Sequence, residues 1–138
     1  MNRKEPNYKY RNVMLLDDSD LDNFINEKII EASHFAEKVY TTTSARSALE
    51  FISNLIIMGE DFSGAFPEVI FIDINMPMMD GFQFVELFEK KTAGYKKKPK
   101  LVILTSSVYH EDIQRARDIS ESLLFLNKPL SMEMLAGI

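Results

Sequence analysis

The sequence contains no cysteine among its 138 residues, which excludes a disulfide framework and a thiolate metal site and fits a reducing compartment. No apolar run approaches the length of a transmembrane helix. The basic N-terminal segment lacks the following apolar stretch of a signal peptide. Basic residues are outnumbered, and the net charge of -5 argues against direct binding to nucleic acid. These absences predict a cytoplasmic protein that binds neither a membrane nor nucleic acid.

One stretch has a short apolar run that leads directly into an aspartate; it reads VIFIDINMPMMDG at residues 69–81. Its four leading residues have the length and composition of a strand buried on both faces. The following proline and the Asp80–Gly81 pair mark a loop and the start of a helix. Asp73 is therefore expected at the carboxyl end of a buried strand, where open parallel sheets form ligand sites.

Short apolar stretches alternate with helical patterns along the chain. Strands are predicted at 13–16, 39–42, 69–72, 101–104 and 123–126. Helices are predicted from Asp20, from Ser44 to Gly59, after Gly81, over His110–Ile119 and from about Ser131. Loops are expected at 60–67 and at the lysine-containing segment 92–100. This alternation predicts a parallel sheet with helices on both faces, in one domain over 11–138 that follows a flexible arm at 1–10.

Apolar spacing predicts which side of each helix faces the sheet. The inward residues of the first helix are predicted to be Leu21, Phe24, Ile25, Ile29 and Ala32. Those of the second are Ala45, Ala48, Leu49, Ile52 and Ile56. The third contributes Phe84, Val85 and Phe88, and the last contributes Met132 and Leu135.

Four of the five predicted strands end in residues that can carry chemistry. These are Asp17 with Asp18, Asp73, Thr105 and Lys128. A parallel sheet brings such ends to one edge, so three carboxylates, a hydroxyl and an ammonium are expected in one cleft. The carboxylates repel one another unless cations compensate them. Lys128 offsets one charge, and the remaining two match a divalent cation. Oxygen ligands favour Mg²⁺, for which Mn²⁺ could substitute.

A cleft of this composition suits phosphoryl chemistry. A phosphoryl group in transfer spreads negative charge over its oxygens, and cations and hydrogen-bond donors must hold it. A carboxylate can also accept the group itself, as an acyl phosphate.

Four segments together resemble the receiver domain of two-component response regulators, in its stand-alone, single-domain form. They are MLLDDSD at 14–20, VIFIDINMPMMDG at 69–81, VILTSS at 102–107 and FLNKPL at 125–130. They follow the family's order and spacing from about residue 10 onward. The resemblance implies a flavodoxin-like (βα)5 three-layer sandwich without an effector domain. Because only residues 130–138 follow Pro129, the last helix is expected to be short or truncated.

The resemblance also implies roles for the residues in the cleft. Asp73 would accept the phosphoryl group from a histidine kinase or a histidine phosphotransfer protein, and it would also ligate Mg²⁺. Asp18 would be a direct metal ligand, Asp17 would act through water, and the backbone carbonyl of Asn75 would complete the protein ligands. Lys128 would pair with the phosphoryl group, and its bond to Pro129 is expected to be cis.

Further positions are implied to control the switch. Thr105 would donate its hydroxyl to a phosphoryl oxygen, and Phe125 matches the aromatic switch position. Asn75 and Ser107 would flank the path of the hydrolytic water and tune dephosphorylation. The output would be an unknown protein or a second copy of the chain, bound through the helix at His110–Ile119 and the fifth strand. Such a protein catalyses only its own phosphorylation and dephosphorylation and is not an enzyme with a turnover substrate.

Two other functions are compatible with an aspartate after a buried strand. A haloacid-dehalogenase-like phosphatase also phosphorylates such an aspartate, but it needs an acid two residues later, where this chain has Asn75. The other alternative is a receiver-fold interaction module that does not use phosphate. The presence of Asp73, Thr105 and Lys128 together with the acidic pair argues against that alternative.

Overall fold

Every predicted strand and helix is present in the computed structural model, which describes residues 7–59, 64–96, 98–120 and 123–138. The strands are β1 (Tyr10–Leu16), β2 (Ala36–Thr42), β3 (Val69–Ile72), β4 (Lys100–Thr105) and β5 (Leu124–Asn127). The helices are α1 (Asp20–Ala32), α2 (Ala45–Met58), α3 (Gly81–Lys91), α4 (His110–Ile119) and α5 (Met132–Ala136). The strands form one parallel sheet in the order β2-β1-β3-β4-β5. The predicted fold class, a flavodoxin-like parallel sandwich with a short last helix, is confirmed.

The first two strands are longer than the apolar runs that predicted them. β2 begins at Ala36, where it pairs with Tyr10 of β1, because the Tyr10 amide donates to the Phe35 carbonyl at 2.9 Å. Residues 1–6 of the expected arm, 60–63 of one expected loop and Lys97 of the other lie outside the described residues. Within the described part of the chain, no helix has the length and apolar character needed to cross a membrane.

Side chains alternate between the two faces of the sheet, and each face has its own core. One core joins Met14, Leu16, Ile70, Ile72 and Ile103 to residues of α2, α3 and α4. The other joins Val13, Leu15, Val69, Phe71, Val102 and Leu104 to residues of α1 and α5. Strand β3 is buried at every position, as its unbroken apolar run predicted. Burying each large side chain contributes about 1.5–3 kcal/mol, so these two cores hold the sheet edge that carries the site.

The inward faces predicted for α2 and α3 are confirmed, but that of α1 is wrong. Leu21, Phe24 and Ile25 are 66%, 57% and 42% exposed, and Ala32 is exposed as well. Only Ile29 of the predicted set is half-buried and packs against the core. The buried residues of α1 are instead Asn23, Asn26 and Ile30.

A polar requirement at the sheet edge explains this rotation of α1. The side-chain amide of Asn23 donates to the carbonyl of Asp17 at 2.9 Å and to that of Thr42 at 3.3 Å. These carbonyls lie just after β1 and at the end of β2, where leaving a buried acceptor unpaired costs about 1–3 kcal/mol. Turning Asn23 inward gives the Asp17 carbonyl a donor and gives the Thr42 carbonyl a second donor beside the Asp17 amide. The same rotation turns the apolar residues one face away into solvent.

The inward face predicted for α5 is half right. Leu135 is buried, whereas Met132 is 56% exposed and was wrongly placed in the core. The Ser131 hydroxyl accepts from the Met134 amide at 3.1 Å, which fixes the start of this single-turn helix. A helix of five residues presents only about one position to the sheet, and Leu130 and Ile138 on either side fill the remaining space.

Candidate functional site

The site lies where the order of the strands reverses. Since β2 and β3 lie on opposite sides of β1, the chain leaves β1 and β3 toward opposite faces of the sheet and a crevice opens between the two exits. Leu16 is in register with Ile72, and the Asp73 amide donates to the Leu16 carbonyl at 2.9 Å. Asp17 and Asp73 therefore enter the crevice side by side.

The acidic cluster predicted from the strand ends is present. One carboxylate oxygen from each of Asp17, Asp18 and Asp73 lies within 4.8 Å of the others. Asp17 and Asp73 are buried, whereas Asp18 is exposed at the mouth. These are oxygen donors only, two of them largely shielded from solvent, and this donor set fits a hard divalent cation such as Mg²⁺.

Lys128 reaches this cluster from the end of β5. Its Nζ lies 2.5 Å from Asp17 Oδ2 and 3.8 Å from Asp73 Oδ1. Its backbone amide donates to the Thr105 carbonyl at 2.8 Å, and its bond to Pro129 is cis, as expected. The ammonium is thereby directed at the carboxylates by its own strand and by the neighbouring one.

A further carboxylate, missed by the sequence analysis, also binds Lys128. Asp22 Oδ2 lies 2.8 Å from Lys128 Nζ. In the sequence Asp22 looks like an ordinary acidic residue of a first helical turn, which the helix dipole already favours. With Asp18 at the mouth, the crevice thus holds four carboxylates, three of which face the one ammonium. This is one negative charge more than the strand ends alone predicted. This excess strengthens the case for a cation in the crevice.

The electrostatics of the crevice act on its two central groups in opposite ways. Burial, and then the neighbouring Asp17, raise the pKa of Asp73 to about 6 from its ordinary value of 3.8, although Lys128 opposes the shift. Burial works against the charged form of Lys128, but its hydrogen bonds to Asp17 and Asp22 prevail and raise its pKa. Near neutral pH Asp73 is therefore charged at an energetic cost.

Asp73→Asn is expected to stabilise the cation-free protein by about 1–3 kcal/mol at pH 7.5. The folded-state pKa of about 6 exceeds the ordinary 3.8, so the folded chain binds more protons between these values. The free energy of unfolding of the wild type then falls as pH rises through this window. Asparagine does not titrate, so the variant does not suffer this loss. Urea denaturation from pH 3.5 to 7.5 measures the difference, which should vanish at the acid end. The exposed Glu86→Gln serves as control, and an equal gain in that variant would contradict the prediction.

Thr105 and Ser107 lie at the end of β4 beside the crevice. Thr105 is fully buried and Ser107 nearly so. The Ser107 amide donates to Thr105 Oγ1 at 3.2 Å, and the Asn127 side chain donates to the Ser107 carbonyl at 2.6 Å. The Ser107 hydroxyl donates to Asp112 Oδ2 on α4. This contact with Asp112 was not anticipated, although an acid in the first turn of a predicted helix shortly after a serine is a usable signal.

The remaining predicted positions lie around the same edge. Asn75 is exposed, and its backbone hydrogen bond to Asp73 lowers the pKa of that carboxyl. Phe125 is half-buried against the core beneath α2, α3 and α4. A cleft of about 490 Å³ opens beside the acidic cluster and is lined by Asp18, Asn75, Asp80, Asp112 and Arg115, among others. The roles of these residues stay predictions.

The comparison with family models identifies the protein family to which this chain belongs. The model of the response regulator receiver domain matches residues 13–138. The chain belongs to this family. Receiver domains are signalling switches of two-component systems rather than conventional enzymes.

Individual relatives agree with this assignment. A two-component response regulator from Cytophaga hutchinsonii is 31% identical, with a TM-score of 0.79 and coverage of 92% of each chain. The receiver domain of the histidine kinase CKI1 from Arabidopsis thaliana, crystallised with Mg²⁺ and BeF3⁻, is 16% identical with a TM-score of 0.71 and covers 90% of this chain and 82% of that one. This second likeness concerns the fold.

A curated relative links the chain to larger kinases. "Probable histidine kinase 2" from Oryza sativa is 30% identical over 86 residues, or 62% of this chain. The matched part is only 8% of that protein. The likeness is therefore to a small part of that kinase and does not extend to its full length.

Proposed function

We propose that this receiver domain accepts a phosphoryl group on Asp73, from a histidine kinase or a histidine phosphotransfer protein, and thereby changes its affinity for a partner. The observation that carries the proposal is the setting of Asp73. It is buried, it lies within 4.8 Å of two other carboxylates, and it faces the ammonium of Lys128 at 3.8 Å. Burial and neighbouring carboxylates disfavour the charged form of Asp73, a cost that a purely structural role does not explain.

The residues of the crevice have separate tasks in this reaction. An oxygen of Asp73 attacks phosphorus while the bond from phosphorus to the donor nitrogen breaks, so Asp73 must be deprotonated. Lys128 stabilises both that carboxylate and the charge that the incoming oxygens carry. Mg²⁺, held by Asp17, Asp18 and Asp73 with the Asn75 carbonyl, would supply further positive charge. The Thr105 hydroxyl is then the donor available to a phosphoryl oxygen.

The test is labelling with a small phosphodonor. Acetyl phosphate and Mg²⁺ should add one phosphate to the wild type, and Asp73→Asn should abolish the addition, measured by intact mass. Asp80→Asn is a matched control, because Asp80 lines the same cleft and asparagine can still cap α3 as Asp80 does. Labelling of Asp73→Asn at the wild-type level would overturn the proposal. Turnover of para-nitrophenyl phosphate would instead favour the phosphatase alternative.

Exposed apolar side chains on α1 support a docking surface for the phosphodonor. Leu21, Phe24 and Ile25 are exposed on α1, which begins two residues after Asp18. A phosphohistidine can reach the buried Asp73 only if its protein contacts this rim. Large apolar side chains exposed together on a soluble surface commonly mark such contacts.

Phe24→Ser is expected to slow phosphotransfer from a protein donor by about five- to thirtyfold, as for an interface residue worth 1–2 kcal/mol. Acetyl phosphate labelling should not change, because the small donor needs no docking surface. The measurement is the transfer rate from the fastest of a panel of phosphorylated histidine phosphotransfer domains. Ile57→Ser on α2, where the side chain is 81% exposed, is the control. An equal loss with both donors, or in the control, would contradict the assignment.

The output surface is proposed on the opposite side, at α4 and β5. When Thr105 turns toward a phosphoryl oxygen, it vacates space that the half-buried Phe125 can enter. Val108, Tyr109 and Leu124 are 79%, 67% and 40% exposed and supply apolar area to the same surface. A downstream protein or a second copy of the chain would bind here, and the cytoplasmic location expected from the sequence stays a prediction.

A further inference from the structure

Two of the three hydrogen-bonding positions of the Ser107 hydroxyl are occupied within the protein. A serine hydroxyl has one proton to donate and two lone pairs to accept with. Here the proton goes to Asp112 Oδ2, and one lone pair accepts from the Tyr109 amide at 3.3 Å. A single acceptor position remains. The backbone of Ser107 is itself held to the site, because its amide donates to Thr105 Oγ1 and its carbonyl accepts from Asn127.

Asp112 belongs both to α4 and to the cleft beside the acidic cluster. It lines that cleft together with Asp18 and Asn75. It lies in the first turn of α4, whose N-cap residue Tyr109 makes no side-chain cap hydrogen bond. The contact with Ser107 thus joins the beginning of α4 to the segment just after β4, two residues beyond Thr105.

Hydrolysis of a phosphoryl-aspartate sets a clear requirement on its surroundings. A water oxygen forms a bond to phosphorus as the bond from phosphorus to the Asp73 oxygen breaks. The carboxylate is regenerated, inorganic phosphate leaves, and the proton of the water passes to a phosphate oxygen or to solvent. The attacking water must keep a lone pair free for phosphorus. A protein group therefore orients this water best by accepting a hydrogen bond from it.

We propose that Asp112 is a positioning residue for dephosphorylation, which holds the Ser107 hydroxyl as a hydrogen-bond acceptor for the attacking water. Donation to a carboxylate makes the Ser107 oxygen a better acceptor, because linked hydrogen bonds polarise one another. Without Asp112 the hydroxyl proton is free to point at the water or at a phosphoryl oxygen instead. This inference rests on the proposed phosphorylation of Asp73 and concerns only how long the phosphoryl group persists.

The experiment measures the half-life of phosphoryl-Asp73 after labelling with acetyl phosphate and removal of the donor. Asp112→Ala should lengthen this half-life about three- to tenfold. This effect is well below the roughly 10²- to 10⁴-fold rate contribution of a general base. Asp112→Asn should stay within about twofold of the wild type, because its amide oxygen can still accept the Ser107 proton. Glu111→Ala, which removes the same charge from an exposed position in the same first turn, should have no effect.

A double-mutant cycle separates positioning from a loss of structure. Ser107→Ala should lengthen the half-life as much as Asp112→Ala, and the double variant should add little, since both remove one interaction. Additive effects, an unchanged half-life in Asp112→Ala, or an equal change in Glu111→Ala would overturn the inference. Ser107→Ala breaks the same contact from the other side and gives a second reading if Asp112→Ala is less stable. A wild type that gains no phosphate would overturn the proposed function and this inference together, whereas normal labelling with unaltered decay would overturn only the inference.

Discussion

Lys128→Met is expected to lower the free energy of unfolding by about 3–4 kcal/mol at pH 7.5 without divalent cations. The methionine keeps much of the side-chain volume but leaves the carboxylates of Asp17 and Asp73, both buried, without their counter-ion. A buried pair that loses one partner is strongly destabilised because the other charge stays out of water. Since the interactions raise the pKa of Lys128, the contribution of its charge is complete at neutral pH. It is lost only as alkaline pH rises through the folded-state pKa.

Urea denaturation measures this loss, and Mg²⁺ provides an internal check. A cation that binds only the folded state stabilises it in proportion to the logarithm of its concentration over its dissociation constant. Millimolar Mg²⁺ should therefore recover more stability in Lys128→Met than in the wild type. Lys28→Met removes a surface partner of Glu31 and should change stability by less than about 0.5 kcal/mol. If the two lysine variants were equally stable, the ion pairs of Lys128 would not hold the site together.

Gly81→Ala is expected to cost about 3 kcal/mol, at the upper end of what overpacking usually costs. A Cβ on Gly81 would lie 2.4 Å from the Asp73 carbonyl oxygen and 3.0 Å from the Ile74 Cα. These are backbone atoms, so no side chain can rotate away to make room. The Gly81 amide also donates to the Ile74 carbonyl at 3.0 Å. The added methyl group would therefore push the start of α3 away from the loop that carries Asp73.

This displacement should appear in the site as well as in stability. We expect Gly81→Ala to weaken Mg²⁺ binding by about tenfold, equivalent to 1.4 kcal/mol, in an isothermal titration. Gly94→Ala is the matched control, because a Cβ there meets nothing within 4 Å. It should be neutral or slightly stabilising through the unfolded state. Normal Mg²⁺ affinity in a destabilised Gly81→Ala would show that the loop and the helix are not coupled.

The sequence predicted the sheet and most of the cleft because both depend on the ends of short apolar runs. Asp17, Asp73 and Thr105 each follow such a run directly, and Lys128 follows one after a single intervening residue. Parallel pairing leaves little freedom in where these residues meet. The length of an apolar run and its last residue are local properties. They can therefore be read from the chain without knowing what packs against it.

What the sequence could not predict depends on contacts between distant segments. The face of α1 was misassigned because hydrophobicity identifies an apolar stripe but not a partner for it, and Asn23 had a hydrogen-bonding reason to face inward. Asp22 is separated by 106 positions from the lysine it binds. No periodicity encodes such a pair. Asp112 lies closer to Ser107, but only the fold brings their side chains together.

The ion pair between Asp17 and Lys128 spans 111 positions of the chain, and this has a consequence for synthesis. The first carboxylates leave the ribosome long before the lysine that neutralises them, and the strands between them pair only through long crossovers that form slowly. Until β5 joins the sheet, the acidic ends of β1 and β3 have no counter-ion. Through most of elongation these carboxylates therefore lack their ammonium partner, and a divalent cation is the counter-ion available to them until the last strand docks.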